Sequence, residues 1–334
     1  MKILITGGCG FVGSNLAIYF KNNRIGTDIH SLDNLSRNGS LFNLNRLKKN
    51  KIKNFKIDIY NNKAVQRLPK YDLVIDCCAE AAVEVSKKEI DRVFNTNLVG
   101  TFNLMKKCAK DKSNIIFLST SRVYSIKELF KFKKKKLPVN EEFDTSNIKS
   151  IYGFSKYSSE HLIKEFSFLY KTKYVINRFG VISGPGQFGK QDQGFVSLWV
   201  WRHLNKKKLS YIGFGGKGSQ ERDVIHIKDV CELIGLQIKK IKKINNLIVN
   251  VGGGKKNTIS LKNLTKICQK ITLNKIKISS KKNTSEYDIP YYITDNSKVK
   301  KIYNWQPKNT FLQIVQDMYK WMCLNKKTLE KYIK

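Results

Sequence analysis

Two residues four positions apart, Tyr152 and Lys156, have the types and the spacing of a general base and a cationic partner. Side chains at this spacing share one face of a helix, so the phenol and the ammonium project together. A neighbouring ammonium favours the phenolate, and we expect Lys156 to lower the pKa of Tyr152 toward working pH. Thr120 ends an apolar strand pattern and can hydrogen-bond the same substrate oxygen. The alternative interpretation is a solvated helix face, where this spacing is common.

A glycine-rich turn near the amino terminus has the pattern of a pyrophosphate site. The apolar run Ile3–Ile5 predicts a buried strand, and three glycines follow where a helix should begin. Such glycines permit a tight turn and close backbone approach, and the amino terminus of the helix attracts the anion. The alternative is a merely structural turn. The residues expected to line the phosphates are Gly7, Gly10, Phe11, Val12 and Gly13.

An acidic residue, Asp33, stands twenty residues after Gly13 at the end of a second apolar pattern. A carboxylate at this place accepts hydrogen bonds from ribose hydroxyls and repels a 2′-phosphate, which favours NAD over NADP. A solvated loop carboxylate is the alternative, and the nearby Arg37 leaves NADP open.

Strand and helix patterns alternate through the first part of the chain and predict a doubly wound parallel sheet with right-handed crossovers. The predicted strands cover 3–5, 27–32, 54–59, 73–79 and 114–119, with helical segments over 15–22 and 97–110. Asp58, near the end of the third strand, is placed to meet an adenine amino group. Small residues after the fourth strand, Cys78 and Ala79, permit close approach of backbone to a cofactor.

The composition excludes several classes of protein. Seven cysteines without a Cys-x-x-Cys pair suggest neither a disulfide framework nor a zinc site, so we expect no metal and a reducing cytoplasm. A strand that begins at the third residue leaves no room for a signal peptide, and no apolar run predicts a membrane span. The net charge of +37 is spread along the chain, with one compact run at 133–136, which argues against nucleic-acid and membrane partners.

These features, in this order, resemble the extended short-chain dehydrogenase/reductase family of nucleotide-sugar epimerases and dehydratases. The shared segments are Thr6–Gly13, Asp33–Arg37, Asp58–Ile59, Asn97 before Gly100–Thr101, Ser119–Thr120, Tyr152 with Lys156, and Arg222–His226 ahead of Asp229. The resemblance implies an α/β protein with a Rossmann doubly wound parallel sheet that binds NAD. It also implies a smaller mixed α/β C-terminal domain that binds a nucleoside diphosphate sugar, and a homo-oligomer, dimer or tetramer.

The resemblance assigns roles and domain limits. Catalytic roles fall to Thr120, Tyr152 and Lys156. Besides the glycine turn, the implied cofactor-binding residues are Asp33, Asn34, Ser36, Arg37, Asp58, Ile59, Cys78, Ala79, Asn97, Tyr152 and Lys156. The implied substrate-binding residues are Arg122, Gln187, Gln193, Gly194, Phe195 and Arg222. The NAD-binding domain is predicted over 1–180 with 224–260 returning to it, and the substrate domain over 181–223 and 261–334.

Arg222 has two interpretations. Its guanidinium can take two phosphate oxygens of the substrate in a bidentate pair that lysine does not imitate. Alternatively it forms a structural salt bridge with Asp223 or Asp229, and the phosphate is bound elsewhere, for instance by Lys281 or Lys282.

Within the family, the segment from Gly184 to Phe195 most resembles the CDP-paratose 2-epimerases. A 4,6-dehydratase needs an acid and a base beside Thr120, which Ser121 and Arg122 do not supply, and Arg122 reverses the charge of the Glu that decarboxylases have there. An epimerase needs only a hydride acceptor and one base: it oxidises the sugar, lets the keto sugar turn and returns hydride to the other face. The alternatives are a UDP-sugar 4-epimerase, a dehydratase, a decarboxylase, or a non-catalytic NAD-binding scaffold.

Overall fold

The chain divides into two compact units, each assembled from three segments. The first comprises residues 1–123, 150–178 and 231–249, and the second comprises 124–149, 179–230 and 250–334. The computed structural model describes residues 1–26, 28–81, 83, 88–132, 135–190 and 193–333. Thr27 of the predicted second strand, the lysines at 133 and 134, and the residues at 191 and 192 of the Gly184–Phe195 segment lie outside the described residues.

A seven-stranded sheet organises the first unit. The strands of the chain are β1 Lys2–Thr6, β2 Asp28–Leu32, β3 Lys53–Phe55, β4 Leu73–Asp76, β5 Asn114–Thr120, β6 Tyr174–Phe179, β7 Val181–Ser183, β8 Leu209–Ile212, β9 Glu221–His226, β10 Leu247–Val251, β11 Thr258–Ser260, β12 Ile278–Lys281 and β13 Tyr291–Tyr292. The sheet order is β10-β6-β5-β4-β1-β2-β3, and the pairs with a described register run parallel. The chain turns to opposite sides of β1, which confirms the predicted doubly wound sheet.

The helices follow the predicted alternation. They are α1 Phe11–Asn22, α2 Ser40–Lys49, α3 Asn62–Gln66, α4 Ile90–Phe94, α5 Gly100–Asp111, α6 Ile126–Phe132, α7 Ile151–Tyr170, α8 Phe195–Leu204, α9 Ile227–Lys240, α10 Leu261–Thr272, α11 Ser297–Tyr303, α12 Phe311–Leu324 and α13 Lys326–Leu329. A π-helical turn, Asn95–Val99, joins α4 to α5, where the sequence predicted one helix from 97 to 110. Among the described residues no helix has both the length and the apolar character needed to cross a bilayer.

The core of the first unit explains why the central strands are almost wholly apolar. Leu4, Val74, Ile115 and Phe117 of the sheet pack with Leu104 of α5 in one buried cluster. Helices on both faces of a parallel sheet remove both faces from water, so the strands read as continuous apolar runs instead of alternating ones.

Two strands end earlier than predicted. β4 stops at Asp76, because the Asp76 carboxylate accepts the backbone N–H of Cys78 at 3.1 Å and replaces a ladder partner. β3 stops at Phe55, and Asp58 lies in the turn beyond it, where its carbonyl accepts the N–H of Asn61. Both predicted strand ends were wrong, since side chains and turns compete with the ladder there.

The second unit has its own small sheets and core. β9 pairs with β7, β11 and β13, and β8 pairs with β12. Trp199 and Trp201 are buried in this core, with exposures of 4% and 1%. The glycines after β10 lead into a short 3₁₀ turn and β11.

The segment 124–149, which the predicted limits assign to the NAD-binding domain, is grouped with the second unit. Its contacts there explain the grouping. The hydroxyl of Tyr124 donates to Asn250 at 2.7 Å, and the amide of Asn250 donates to the carbonyl of Val139 at 2.9 Å. Val139 also forms a bridge with Thr294.

Candidate functional site

Tyr152 and Thr120 meet in a buried part of the first unit. Thr120 is the last residue of β5, and Tyr152 lies in the first turn of α7, which Ser150 caps by accepting the N–H of Gly153. The Thr120 side chain lies close enough to the phenol to lower its pKa, and the exposures of the two side chains are 9% and 8%. The arrangement gives one phenol and one hydroxyl that can address the same oxygen of a bound sugar.

The pKa of Tyr152 is shifted opposite to the expectation from the sequence. Burial raises the pKa of the phenol, because a phenolate is poorly solvated there, while the hydrogen bond to Thr120 and the charges of Arg122 and Arg37 oppose that rise. The expected lowering of the Tyr152 pKa by Lys156 was therefore wrong.

Lys156 is buried one helical turn after Tyr152, with 1% exposure. Its ammonium lies 3.8 Å from the centre of the Phe117 ring, a cation–π contact. Burial lowers the pKa of Lys156, and the carboxylate of Asp76 is the largest influence in the opposite direction. Asp76 pairs with Phe117 in the sheet register, so their side chains share the face on which the ammonium lies.

A buried ion pair that sequence reasoning missed supports the catalytic helix. Glu160, one turn beyond Lys156, accepts hydrogen bonds from Arg178 of β6 and, at 2.5 Å, from the hydroxyl of Ser119. These contacts tie α7 to β5 and β6, and so they orient Tyr152 and Lys156. The spacing of Tyr152, Lys156 and Glu160 on one helix face was the signal available in the sequence.

The glycine turn has a shape that fits a dinucleotide phosphate. Gly7 has φ of +59°, and a Cβ there would meet the carbonyl oxygen of Cys77 at 2.9 Å. A Cβ on Gly13 would meet the carbonyl oxygen of Gly7 at 2.4 Å, so α1 packs against the turn only with glycine there. Gly10 is the N-cap of α1 and brings no side chain to its first turn, so the N–H groups of Phe11 and Val12 suit an anion.

Asp33 joins the glycine turn to the end of β2. Its carboxylate accepts the backbone N–H of Cys9 at 3.0 Å and that of Leu35 at 2.8 Å, and burial raises its pKa. Each carboxylate oxygen can accept more than one hydrogen bond, so these contacts leave capacity for ribose hydroxyls. The Asp33 carboxylate therefore fits the ribose hydroxyls at the adenosine end of NAD as a hydrogen-bond acceptor.

The other predicted cofactor residues lie along the same sheet edge. Asn34 donates to Asp58 at 2.7 Å, and its side-chain oxygen accepts the N–H of Ser36 at 3.0 Å. Ile59 packs against Gly100, where a Cβ would come within 2.6 Å of it. Cys78 and Ala79 are half-buried in the loop after β4, close enough to the turn that a Cβ on Gly7 would meet the Cα of Cys78 at 3.0 Å.

Asn97 is a positioning residue in this structure. It sits in the π-helical turn, a feature that is frequent at functional sites, and is 1% exposed. Its amide oxygen accepts the N–H of Glu80 at 2.8 Å, and its amide nitrogen donates to Ser155 of α7 at 2.9 Å. Asn97 thus fastens the loop after β4 to the catalytic helix.

The predicted substrate residues other than Arg122 lie in the second unit. Arg222 on β9 forms an ion pair with Asp288 at 3.1 Å and donates to the backbone carbonyls of Glu221 and Ile289. Its predicted structural partners bond elsewhere: Asp223 accepts from Gly254, and Asp229 accepts from Asn309. Arg222 is thus part of a network in which both terminal nitrogens of its guanidinium have partners.

The segment before α8 is tightly turned. Gln187 donates to the carbonyl of Ile182 at 3.1 Å and accepts from Ser183 at 2.8 Å. Gln193 exchanges backbone hydrogen bonds with Lys190, Gly194 is the N-cap of α8 with φ of +77°, and Phe195 opens the helix. The side chain of Gln187 therefore stabilises the conformation of this segment.

Comparison with known proteins decides the family. The family described as NAD dependent epimerase/dehydratase matches residues 3–252 of the chain. The chain belongs to this family. Its extended short-chain dehydrogenase/reductase architecture, its use of NAD and its enzymatic nature follow from that membership, as the sequence predicted.

Relatives of this epimerase/dehydratase family member include both epimerases and dehydratases. CDP-paratose 2-epimerase of Salmonella typhi is 31% identical, over 96% of this chain and 99% of its own. dTDP-glucose 4,6-dehydratase of Salmonella typhimurium is 27% identical, over 97% of this chain and 93% of its own. The structure of UDP-glucose 4-epimerase of Thermotoga maritima, solved with UDP-glucose, superposes with a TM-score of 0.82 at 27% identity, covering 98% of this chain and 100% of that one.

Proposed function

We propose that this enzyme epimerises a CDP-activated deoxy sugar at carbon 2, as a CDP-paratose 2-epimerase does. The observation that carries the proposal is the composition of the catalytic site. The side chains of Thr120 and Tyr152 interact in a buried site that also contains Lys156. The residues that follow Thr120 are Ser121 and Arg122, and neither carries a carboxylate. The similarity to the Salmonella typhi enzyme over nearly the full length of both chains supports the choice of sugar nucleotide.

The chain's own residues have distinct tasks in this reaction. NAD, when bound, supplies a reversible acceptor for the hydride of the sugar carbon. Tyr152 takes the proton of the sugar hydroxyl and Thr120 orients that hydroxyl, with Lys156 one helical turn further along the same face. The keto sugar then rotates in the site so that its opposite face receives the hydride, and Tyr152 returns the proton to the sugar oxygen. The same base works in both directions, so the cycle is redox-neutral and the cofactor can stay bound.

A carboxylate elsewhere in the site argues against a dehydratase. Glu80 is buried and influences Tyr152 electrostatically, but its two oxygens lie 3.0 Å from Arg37 and 2.7 Å from Arg92. Both carboxylate oxygens are therefore engaged by guanidinium groups. Glu80 in this arrangement does not supply the carboxyl group that a dehydratase needs beside the sugar.

A panel of substrates tests the proposal. The purified enzyme is incubated separately with CDP-paratose, UDP-glucose, UDP-glucuronate and dTDP-glucose, and products are identified by nuclear magnetic resonance. We expect conversion of CDP-paratose to its 2-epimer, CDP-tyvelose, without added NAD. Turnover of a UDP sugar alone, or formation of a 4-keto-6-deoxy sugar from dTDP-glucose, would replace the proposal with the corresponding family activity.

We also propose that the protein is a homo-oligomer in a reducing cytoplasm. Apolar side chains at the surface of α5 and α7 support the first part: Phe102, Phe168 and Leu169 are 39%, 76% and 66% exposed. All seven cysteines are free thiols, which supports the second. Light scattering after gel filtration should give a dimer or tetramer mass, and a monomer mass would refute the assembly.

A further inference from the structure

One acidic residue of the first unit, Glu80, is shared between two arginines. Glu80 lies in the loop after β4 and is 3% exposed. Its Oε1 is 3.0 Å from Nη1 of Arg37, and its Oε2 is 2.7 Å from Nη2 of Arg92. A buried carboxylate in this position requires opposite charge, and both guanidiniums supply it.

The backbone around Glu80 fixes where its carboxylate lies. The amide side chain of Asn97 brackets Glu80, accepting its N–H at 2.8 Å and donating to its carbonyl at 3.2 Å. Because Asn97 is itself bonded to Ser155 of α7, the loop cannot shift without breaking buried hydrogen bonds. Arg37, whose side chain is 32% exposed, is therefore the movable member of its ion pair.

The guanidinium of Arg37 can also bind a phosphate group. It follows β2 four residues after Asp33, in the loop where dinucleotide-binding folds recognise the adenosine ribose. A carboxylate in that loop bonds the 2′-hydroxyl of NAD, and a nearby arginine accommodates the 2′-phosphate of NADP. This loop contains both kinds of residue, and Asp33 is anchored by the N–H groups of Cys9 and Leu35.

We propose that Glu80 is a specificity-determining residue for the cofactor, because its ion pair with Arg37 withholds that guanidinium from a 2′-phosphate. Because Arg37 is paired with Glu80 near the end of β4, the carboxylate of Asp33 determines the preference for NAD over NADP. The inference rests on the proposed function and on the adenosine site described above for Asp33. It assigns discrimination between NAD and NADP to Glu80, which lies outside the ribose-binding loop and acts through Arg37.

Both arginines lose one ion pair when Glu80 loses its charge. Arg92 also pairs with Glu89 at 2.7 Å. Arg37 is partly exposed, and a 2′-phosphate offers its guanidinium a dianionic, bidentate partner once the ion pair with Glu80 is removed. Glu80→Gln preserves the size of the side chain, and the matched control is Glu89→Gln, which removes an acid from the same cluster without touching Arg37.

The experiment measures dissociation constants of NAD and NADP by calorimetry with nucleotide-free full-length protein at low salt. Glu80→Gln should lower the NADP-to-NAD ratio of dissociation constants by about tenfold, since one charged contact of roughly 1.4 kcal/mol is gained by NADP alone. Adding Arg37→Gln to that variant should restore the parent ratio within about twofold, and Glu89→Gln should leave the ratio at the parent value.

Arg37→Gln alone gives a second, independent readout, because it changes a partly exposed side chain and does not depend on Glu80→Gln folding. The proposal requires the parent ratio within about twofold in this variant, since Arg37 is already engaged. An unchanged ratio in folded Glu80→Gln, or a rise above about fivefold in Arg37→Gln, overturns it. Failure of the parent to bind NAD at all would instead refute the proposed function.

Discussion

The guanidinium of Arg178 contacts both carboxylate oxygens of Glu160, with hydrogen bonds of 3.1 Å from Nε and 2.7 Å from Nη2. Both side chains are buried, Glu160 completely. Glu160 lies on the same helix as Tyr152 and Lys156, and Arg178 lies on β6. The ion pair therefore both stabilises the first unit and fixes the position of the two catalytic side chains.

Neutralising Glu160 should destabilise the enzyme strongly. Glu160→Gln leaves the charge of Arg178 buried without its partner, which typically lowers the free energy of unfolding by about 3–5 kcal/mol. Urea denaturation followed by circular dichroism measures the change. The control is Glu165→Gln on the exposed side of the same helix, expected within about 0.5 kcal/mol of the parent. Equal stability of the two variants would show that the ion pair contributes nothing.

Replacing Arg222 tests whether it binds the substrate pyrophosphate. Arg222→Lys keeps the charge but loses the planar fork, and we expect the Michaelis constant for the sugar nucleotide to rise more than about tenfold, or roughly 1.4 kcal/mol. Asp288→Asn serves as the comparison, because it breaks the observed ion pair and leaves the guanidinium in place. A sharp fall in melting temperature with an unchanged Michaelis constant would make Arg222 purely structural.

Removing the carboxylate of Asp33 should weaken NAD binding and reduce discrimination against NADP. Asp33→Ala deletes both the ribose acceptor and the repulsive charge, so the two affinities should approach each other. Asp33→Asn separates the effects, since it removes the charge and keeps one side-chain oxygen that accepts from one of the two N–H groups, that of Cys9 or that of Leu35. Calorimetry on the three proteins checks this, and an identical cofactor preference in all of them would exclude Asp33 from the site.

Asp223 should make stability depend on pH. Burial raises its pKa above the ordinary value of 3.8, while the N–H of Gly254 bonds it. Because the folded-state pKa lies above the unfolded one, its stabilising contribution is complete at acid pH below that ordinary value and is lost as pH rises through the folded-state pKa. Asp223→Asn removes this dependence. The stability difference between variant and parent should therefore shift in favour of the variant as pH rises from below 3.8 toward neutral, and a constant difference over that whole range would contradict the assignment.

The parts of the site that the sequence predicted are local patterns. The glycine turn, Asp33 at its spacing, and Tyr152 with Lys156 each lie within one strand–turn–helix unit, where periodicity and residue type determine geometry. The doubly wound sheet followed from the alternation of such units. The same local character made strand ends unpredictable, since Asp76 ends β4 by bonding the backbone with its own side chain.

What the sequence did not predict depends on contacts between distant residues. The pairing of Glu160 with Arg178 and the sharing of Glu80 between Arg37 and Arg92 require the folded sheet edge. The predicted direction of the Tyr152 pKa shift was wrong for a related reason. Burial is a property of the packed protein, and here its effect on the pKa outweighs that of the neighbouring charges.

Tyr152→Phe tests the account most directly, because it removes the proposed base and little of the cofactor pocket. We expect NAD to remain bound, as measured by release on denaturation, while turnover of CDP-paratose falls by at least about a thousandfold. The parent should also gain activity as pH rises, since burial raises the pKa of the phenol that must lose its proton. Activity of the variant within about tenfold of the parent, with NAD bound, would contradict the central role of Tyr152.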